Sequence, residues 1–212
     1  MPLPELERLV SVMARLRQEC PWDAQQTHRS LVQYLIEETA ETVEAIEAGD
    51  QDHLREELGD LLLQVIFHAE LASEQAPGFT VEEVARGIAD KLISRHPYVF
   101  ATAEVPVDLH YTWEQRKAAE KGRTSALQGI PEQLSALARA NKIIGKARSR
   151  RLELLLPDEP TTAEEVGAQI LALAARAQAA GIDPEQALRD AVRALEAQVR
   201  HSESPRNDAT ST

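Results

Sequence analysis

Hydrophobic residues recur at three- and four-residue intervals through the first half of the chain, which is the pattern of amphipathic helices. The pattern predicts one helix over residues 3–18 and a second over residues 30–48, where Ser30 and Gln33 have the spacing of a capping box. Gly49 ends the second predicted helix. The chain therefore begins as a series of helices.

The same periodicity continues through the rest of the chain. A third predicted helix covers about residues 52–76 and is apolar on most sides, as expected for a helix inside a bundle. Thr80, with Glu83 three residues later, caps a fourth helix that ends before Pro97. The remaining predicted helices are a stretch around residues 113–121, one over about 132–151, and two alanine-rich helices after a linker at 157–160.

The second half of the chain contains a weak copy of the first. The run from Glu164 to Ala168 repeats the run from Glu56 to Asp60 at an offset of 108 residues. Uncharged residues replace charged ones in the second copy: Ala168 stands for Asp60, Ala194 for Lys91 and Gln198 for Arg95. We therefore predict an all-α helical bundle with a degenerate second repeat. Its parts are a first domain with the charged motifs over 1–130, the repeat over 131–200 and a disordered tail over 201–212.

Composition narrows the class of protein. Aromatic residues make up only 4% of the chain, which disfavours an all-β fold, and the net charge of −12 argues against a nucleic acid as the main partner. No apolar stretch is long enough to span a bilayer, and Met1 begins no positively charged signal peptide. The lone Cys20 cannot form a disulfide within the chain. We expect a cytoplasmic protein that binds neither nucleic acid nor membrane.

Carboxylates lie one helical turn apart on two neighbouring predicted helices. Glu38 and Glu41 lie on the second helix, with Glu38 in the middle of its apolar stripe, and Glu57 and Asp60 lie on the third. Four converging carboxylates repel one another unless a cation neutralises them. Hard oxygen ligands suit Mg²⁺ or Mn²⁺, so the sequence predicts a site for one of these ions.

A solvated acidic face is the alternative, because a chain with 27% charged residues shows such motifs by chance. The inward position of Glu38 and the absence of the acids from the second copy favour the metal site. Glu37 and Glu44 point further towards solvent and are expected to be surface charges, although Glu37 could still reach groups around the ion.

These motifs make the chain resemble the bacterial MazG nucleoside triphosphate pyrophosphohydrolases, an all-α family within the wider group of MazG-like and dimeric dUTPase-like enzymes. The resemblance covers about residues 5–145. The matching segments are Cys20-Pro21-Trp22-Asp23, Glu37 to Glu41, Glu56 to Leu62, Asp90-Lys91-Leu92, Arg95 to Phe100, and Trp113-Glu114 with Lys117. Tyr98 departs from the family pattern, which has a second histidine there.

The resemblance implies hydrolysis of a nucleoside triphosphate between its α and β phosphates, which gives a monophosphate and pyrophosphate. It also implies that Glu38, Glu41, Glu57 and Asp60 are catalytic and hold Mg²⁺, with Mn²⁺ as a substitute. One of these acids, or Glu37, is the general base. All nine glycines are isolated, so no glycine-rich loop can hold the phosphates and bound cations must do so.

Other residues in the matching segments are candidate substrate contacts, together with Glu37. Lys91 and Arg95 lie four residues apart on the fourth predicted helix and could clamp the triphosphate; a solvated helix face is the alternative. Trp113 could pack against a nucleobase and Lys117 could reach a phosphate, with a core anchor as the alternative for Trp113.

A basic cluster and three histidines have no such assignment. His28, His68 and His96 lack metal-ligand spacing, so we expect them to form hydrogen bonds in the core or beside the substrate. The cluster has no interleaved aromatic residues and is expected to be a solvated helix face or an interface to acidic surfaces. Its members are Lys142, Lys146, Arg148, Arg150 and Arg151.

The leading hypothesis is a Mg²⁺-dependent pyrophosphohydrolase of broad triphosphate range with a house-cleaning role in the nucleotide pool. A narrower dUTP or phosphoribosyl-ATP pyrophosphohydrolase is one alternative, and a non-catalytic helical regulatory partner is another. Ile36 and Val43 lie on the helix face opposite Glu38, which leaves apolar surface for a second chain to cover. We expect a homodimer or a higher homo-oligomer.

Overall fold

A computed structural model describes residues 3–204, apart from the side chain of His110. Within that range the chain forms α-helices joined by turns and contains no β-strand, which confirms the all-α prediction. No helix in the described range combines the length and the apolar character needed to cross a membrane.

The chain divides into two compact units, Met1–His96 and Pro97–Thr212. The weak internal repeat of the sequence predicts a domain boundary between residues 130 and 131, and that boundary stays a prediction. The helices of the first unit are α1 Pro4–Glu19, α2 Pro21–Gln25, α3 Val32–Ala48, α4 Gln51–Ser73 and α5 Val81–Arg95. Those of the second unit are α6 Pro97–Phe100, α7 Leu109–Glu120, α8 Ala136–Ser149, α9 Ala163–Ala179 and α10 Pro184–Glu203.

Helices α3 and α4 pack together as a hairpin. Gly49 ends α3 with φ +71°, a left-handed conformation that glycine adopts without steric cost. The Asp50 side chain then accepts hydrogen bonds from the backbone N–H groups of Asp52 and His53 and caps α4. The two-residue connection therefore fixes α3 against α4.

The structure corrects one predicted helix start and confirms another. The capping box predicted at Ser30 and Gln33 is wrong, because α3 begins after Leu31 without a side-chain cap. The Ser30 hydroxyl instead donates to Oε1 of Gln26 at 2.7 Å and so belongs to the preceding turn. The capping box of Thr80 and Glu83 is confirmed at the start of α5.

Each unit has its own hydrophobic core. In the first unit the buried residues are Met13, Leu31, Ile66, Phe67 and Leu71. In the second unit they are Ala126, Ile130, Ile143, Ala147, Val192, Leu195 and Val199. An ion pair of 2.6 Å between Arg139 on α8 and Glu196 on α10 supports the second core.

The last two helices differ in how much they bury. Helix α10 extends to Glu203, into the predicted tail, whose residues 205–212 lie outside the described range. Helix α9 has no buried residue among those described, and its Ile170 and Leu173 are exposed. Helix α9 therefore contributes little to the core of the second unit.

Candidate metal centre

The α3–α4 hairpin brings three glutamates together. Glu38 and Glu41 lie one turn apart on α3, and Glu57 lies on the facing part of α4. Each offers a carboxylate oxygen, and these oxygens lie within 4.8 Å of one another. Asp60 is not part of this group in the structure, although its charge acts on Glu38.

Glu57 has an unusual environment for a carboxylate. Its side chain is only 10% exposed, and its Oε1 accepts a contact of 3.0 Å from Nε2 of His53. Its Oε2 is buried and has no hydrogen-bond partner among the described residues. A buried carboxylate oxygen without a partner is energetically costly, and a hard cation would satisfy it. The donor set of this site therefore fits Mg²⁺ or Mn²⁺.

Glu38 is the carboxylate that its neighbours perturb most clearly. Burial raises the pKa of the Glu38 carboxyl, and the negative charges of Asp60, Glu41 and Glu57 raise it further. The predicted apolar stripe around Glu38 is only partly correct. Leu31 is buried, whereas Ile46 is 58% exposed.

The other predicted site residues lie in both units. Glu37 is exposed on α3, and its charge also acts on Glu38. On α5, Lys91 is half-buried and Arg95 is buried at 4% exposure, which does not fit a solvated helix face. The roles of Glu37, Lys91 and Arg95 in substrate binding stay predictions.

Trp113 and Lys117 lie on α7 in the second unit and are both half-buried. The ammonium of Lys117 contacts Oε1 of Glu114 at 2.9 Å. This contact holds the Lys117 side chain on its own helix.

The sequence interpretation missed His53. His53 precedes Glu57 by one helical turn, the spacing at which side chains on a helix meet. Its imidazole fixes one oxygen of Glu57 and leaves the other for a cation. The spacing of four residues between His53 and Glu57 was the sequence feature from which this contact could have been predicted.

His28 and His68 form a half-buried contact, and hydrogen bonding was the role expected of them from the sequence. Their Nδ1 atoms lie 2.8 Å apart and their rings stack with 5.1 Å between centroids. Burial lowers the pKa of His68, and the nearby His28 lowers it further.

Glu165 occupies a different structural position from Glu57. It is the third residue of α9, where it forms a capping box with Thr162, whereas Glu57 is the seventh residue of α4. The hydrogen bonds from Thr162 lower the pKa of the Glu165 carboxyl. The degenerate repeat stays a prediction, and the role visible for Glu165 is helix capping.

We expect Glu165→Ala to leave turnover unchanged and to lower the melting temperature, because the substitution removes the carboxylate that accepts from the backbone N–H of Thr162 in the capping box of α9 and removes no metal ligand. The loss of stability should be smaller at acidic pH, since a carboxylate with a lowered pKa stabilises the fold only while it is ionised. Steady-state kinetics and thermal melts check this. Turnover as low as that of Glu57→Ala would instead identify Glu165 as part of a second working site.

Comparison with known proteins adds sequence relationships to this geometry. Residues 26–100 match the family model described as the MazG nucleotide pyrophosphohydrolase domain. A Streptomyces cacaoi protein named "Uncharacterized 26.1 kDa protein in blaB 3'region" is 45% identical over 207 residues, 92% of this chain and 84% of the relative.

Two further relatives have functional names. The "Nucleoside triphosphate pyrophosphohydrolase/pyrophosphatase MazG" of Thermotoga maritima is 39% identical over 209 residues, 88% of this chain and 81% of the relative. The "Nucleoside triphosphate pyrophosphohydrolase" of Escherichia coli is 45% identical over 147 residues, 66% of this chain and 56% of that longer protein. Glu38, Glu41 and Glu57, which we refer to as the acidic cluster, lie within the segment that the family model matches.

Proposed function

The chain belongs to the MazG nucleotide pyrophosphohydrolase family, and on that premise we propose that it hydrolyses nucleoside triphosphates to the monophosphate and pyrophosphate. The observation that supports this proposal is the convergence of Glu38, Glu41 and Glu57 within 4.8 Å, with a buried and unpartnered oxygen on Glu57. The reaction serves to remove unwanted triphosphates from the cytoplasmic nucleotide pool.

Glu38, Glu41, Glu57 and Asp60 are the residues that would hold Mg²⁺. When bound, the ion neutralises phosphate charge and lowers the pKa of a coordinated water. His53 orients Glu57 by holding its Oε1 at 3.0 Å. One of these carboxylates, or the neighbouring Glu37, takes up the proton from the attacking water.

We assign substrate binding to four further residues. Lys91 and Arg95 offer cationic groups to the triphosphate from α5, where an arginine can bind two phosphate oxygens at once. Trp113 contacts the nucleobase and Lys117 a phosphate. The family resemblance supports these four roles.

We expect pyrophosphate and a nucleoside monophosphate as the products, because the family chemistry breaks the bond between the α and β phosphates. The purified protein is incubated with Mg²⁺ and a panel of standard and damaged triphosphates, and pyrophosphate is separated from orthophosphate by ion chromatography. Accumulation of orthophosphate and a diphosphate would contradict the proposal. Turnover of dUTP or phosphoribosyl-ATP alone would identify a narrower enzyme.

We further propose that the protein acts as a homodimer or larger homo-oligomer, because α3 exposes an apolar face. Ile36 is 65% exposed and Val43 is 48% exposed, on the face of α3 opposite Glu38. Large exposed apolar groups in one patch are typical of an interface.

Light scattering at micromolar concentration should therefore give at least twice the chain mass of 23.5 kDa. Ile36→Asp should lower that mass, since a charge in an apolar interface is costly. Glu44→Gln, on an exposed part of the same helix, is the matched control and should leave the mass unchanged. A monomeric mass for the unmodified protein would exclude the proposal.

A further inference from the structure

A group of basic side chains lies close together in the second unit, whereas the acidic cluster belongs to the first unit. It consists of Lys117 on α7, Arg123 in the following loop, Lys146 on α8 and Arg150 directly after α8, and we refer to it as the cation cluster. Arg123, Lys146 and Arg150 line a small recess of about 10 Å³ together with Glu114 and Ser149, and Arg123 and Arg150 also line an open groove of about 700 Å³. All four cations are half-buried. This corrects the expectation of a solvated face for Lys146 and Arg150.

Arg123 is the most informative member of the cation cluster. Its guanidinium packs against Gly129 so closely that a Cβ at Gly129 would clash with Nη2. Gly129 has φ +72°, so the loop presents bare backbone in a conformation that favours glycine. Among the described residues, the guanidinium of Arg123 has no hydrogen-bond or ion-pair partner. The unused donors of this half-buried guanidinium are available to an anionic acceptor from outside the protein.

The neighbouring cations are held in place by backbone carbonyls. Nζ of Lys146 donates to the carbonyl oxygen of Gln128 at 2.7 Å. Arg150 donates to the carbonyl oxygens of Thr124 at 2.7 Å and of Arg123 at 3.0 Å. These bonds fix the loop between α7 and α8. The carbonyl oxygens carry no net charge, so they do not neutralise the positive charges of Lys146 and Arg150.

The carboxylates at the cation cluster do not balance its charge. Glu114 contacts Lys117 at 2.9 Å, and Glu203 lies 3.8 Å from Arg150. Four cations therefore face two carboxylates. Burial lowers the pKa of Lys146, and repulsion from Arg123 lowers it further, as expected where positive charges are held close together. This local excess of positive charge occurs in a chain whose net charge is −12.

We propose that the cation cluster binds the phosphoryl group of a ligand, with Arg123, Lys146 and Arg150 as the new contacts beside Lys117. A phosphate group offers several anionic acceptors to the unused donors of Arg123, and charge-assisted bonds of this kind are strong. The identity of the ligand rests on the proposed function, because the products of that reaction, inorganic pyrophosphate and a nucleoside monophosphate, both carry phosphoryl groups. The anion site itself stands on the geometry of the second unit.

The test measures anion binding without metal. Isothermal titration calorimetry on the full chain in EDTA uses pyrophosphate, orthophosphate and AMP as ligands, because without a cation the acidic cluster repels all three. We expect pyrophosphate to bind, and Arg123→Met to weaken binding by at least about tenfold, the scale of one charged hydrogen bond. Arg123 leaves no described partner unpaired when it is replaced, so the variant should keep its helical fold.

The matched control is Lys142→Met, which removes one positive charge from an exposed position on α8 outside the recess. It should bind pyrophosphate as the unmodified protein does. Lys146→Met provides a second variant within the cation cluster, and its binding should weaken as well. Circular dichroism melts establish that each variant is folded.

Each outcome decides the proposal. Equal affinity for pyrophosphate and AMP identifies the phosphoryl group alone as the ligand, whereas preference for pyrophosphate identifies the free inorganic product. Absence of binding by the unmodified protein overturns the proposal, as does an equal loss in Arg123→Met and Lys142→Met. The measurement requires no turnover, so anion binding by a protein that hydrolyses no triphosphate would contradict the proposed function and leave the site intact.

Discussion

Replacing Glu57 by Gln should lower kcat by at least about 100-fold, the scale of losing one preorganised group that stabilises charge in the reaction. Glu57 is the best single position for this test, because its Oε2 is buried without a partner among the described residues and is therefore available to a cation. Glu38→Gln, Glu41→Gln and Asp60→Asn should also lower kcat strongly. Steady-state kinetics with saturating Mg²⁺ measure the effect.

Glu44→Gln is the control for this series, because Glu44 lies on the same helix as Glu38 and Glu41 but is exposed. It should retain the activity of the unmodified protein. Circular dichroism should show the same helix content for all of these variants. Full activity in Glu57→Gln would end the metal-site interpretation.

Removal of divalent metal should abolish turnover, and Mg²⁺ or Mn²⁺ should restore it. The reason is that the acidic cluster repels a triphosphate unless a cation lies between them. The same ion should raise the melting temperature, since it binds the folded hairpin and not the unfolded chain. Activity assays and thermal melts with EDTA, followed by metal titration, measure both effects.

The pH dependence of the metal-free protein follows from Glu38. Its pKa is raised in the folded state, so folding favours the protonated carboxyl, and stability falls as pH rises through the folded pKa. Glu38→Gln should therefore raise the melting temperature of the metal-free protein at neutral pH and have little effect below the unfolded pKa of glutamate. It should also reduce the stabilisation by Mg²⁺. An unchanged melting temperature at neutral pH would show that Glu38 carries no such cost.

Features set by nearby residues were predictable from the sequence. The capping box of Thr80 and Glu83 is confirmed because both partners lie in one turn of the chain. The sequence predicted that Glu38, Glu41, Glu57 and Asp60 converge, and the structure brings the three glutamates together and leaves Asp60 outside the group. The helical repeat places Glu38 beside Glu41, and the short connection between α3 and α4 brings Glu57 to them.

Features that depend on packing between distant segments were not predictable in the same way. The Ser30 capping box failed because the Ser30 hydroxyl binds Gln26 in the preceding turn, a competing local partner. The environment of Arg123 depends on a loop that packs against α8, and no periodic pattern relates residue 123 to residue 146. The exposure of Ile46 likewise depends on which helices reach that face of α3.

The short connection between α3 and α4 has a consequence for folding kinetics. All four acidic ligands proposed for the ion lie between residues 38 and 60, on two helices joined through Gly49 and Asp50. Closing such a short loop costs little chain entropy, so this hairpin can form before the rest of the first unit packs. Repulsion among the carboxylates then opposes an early step of folding. A divalent ion should therefore speed refolding of this protein as well as slow its unfolding.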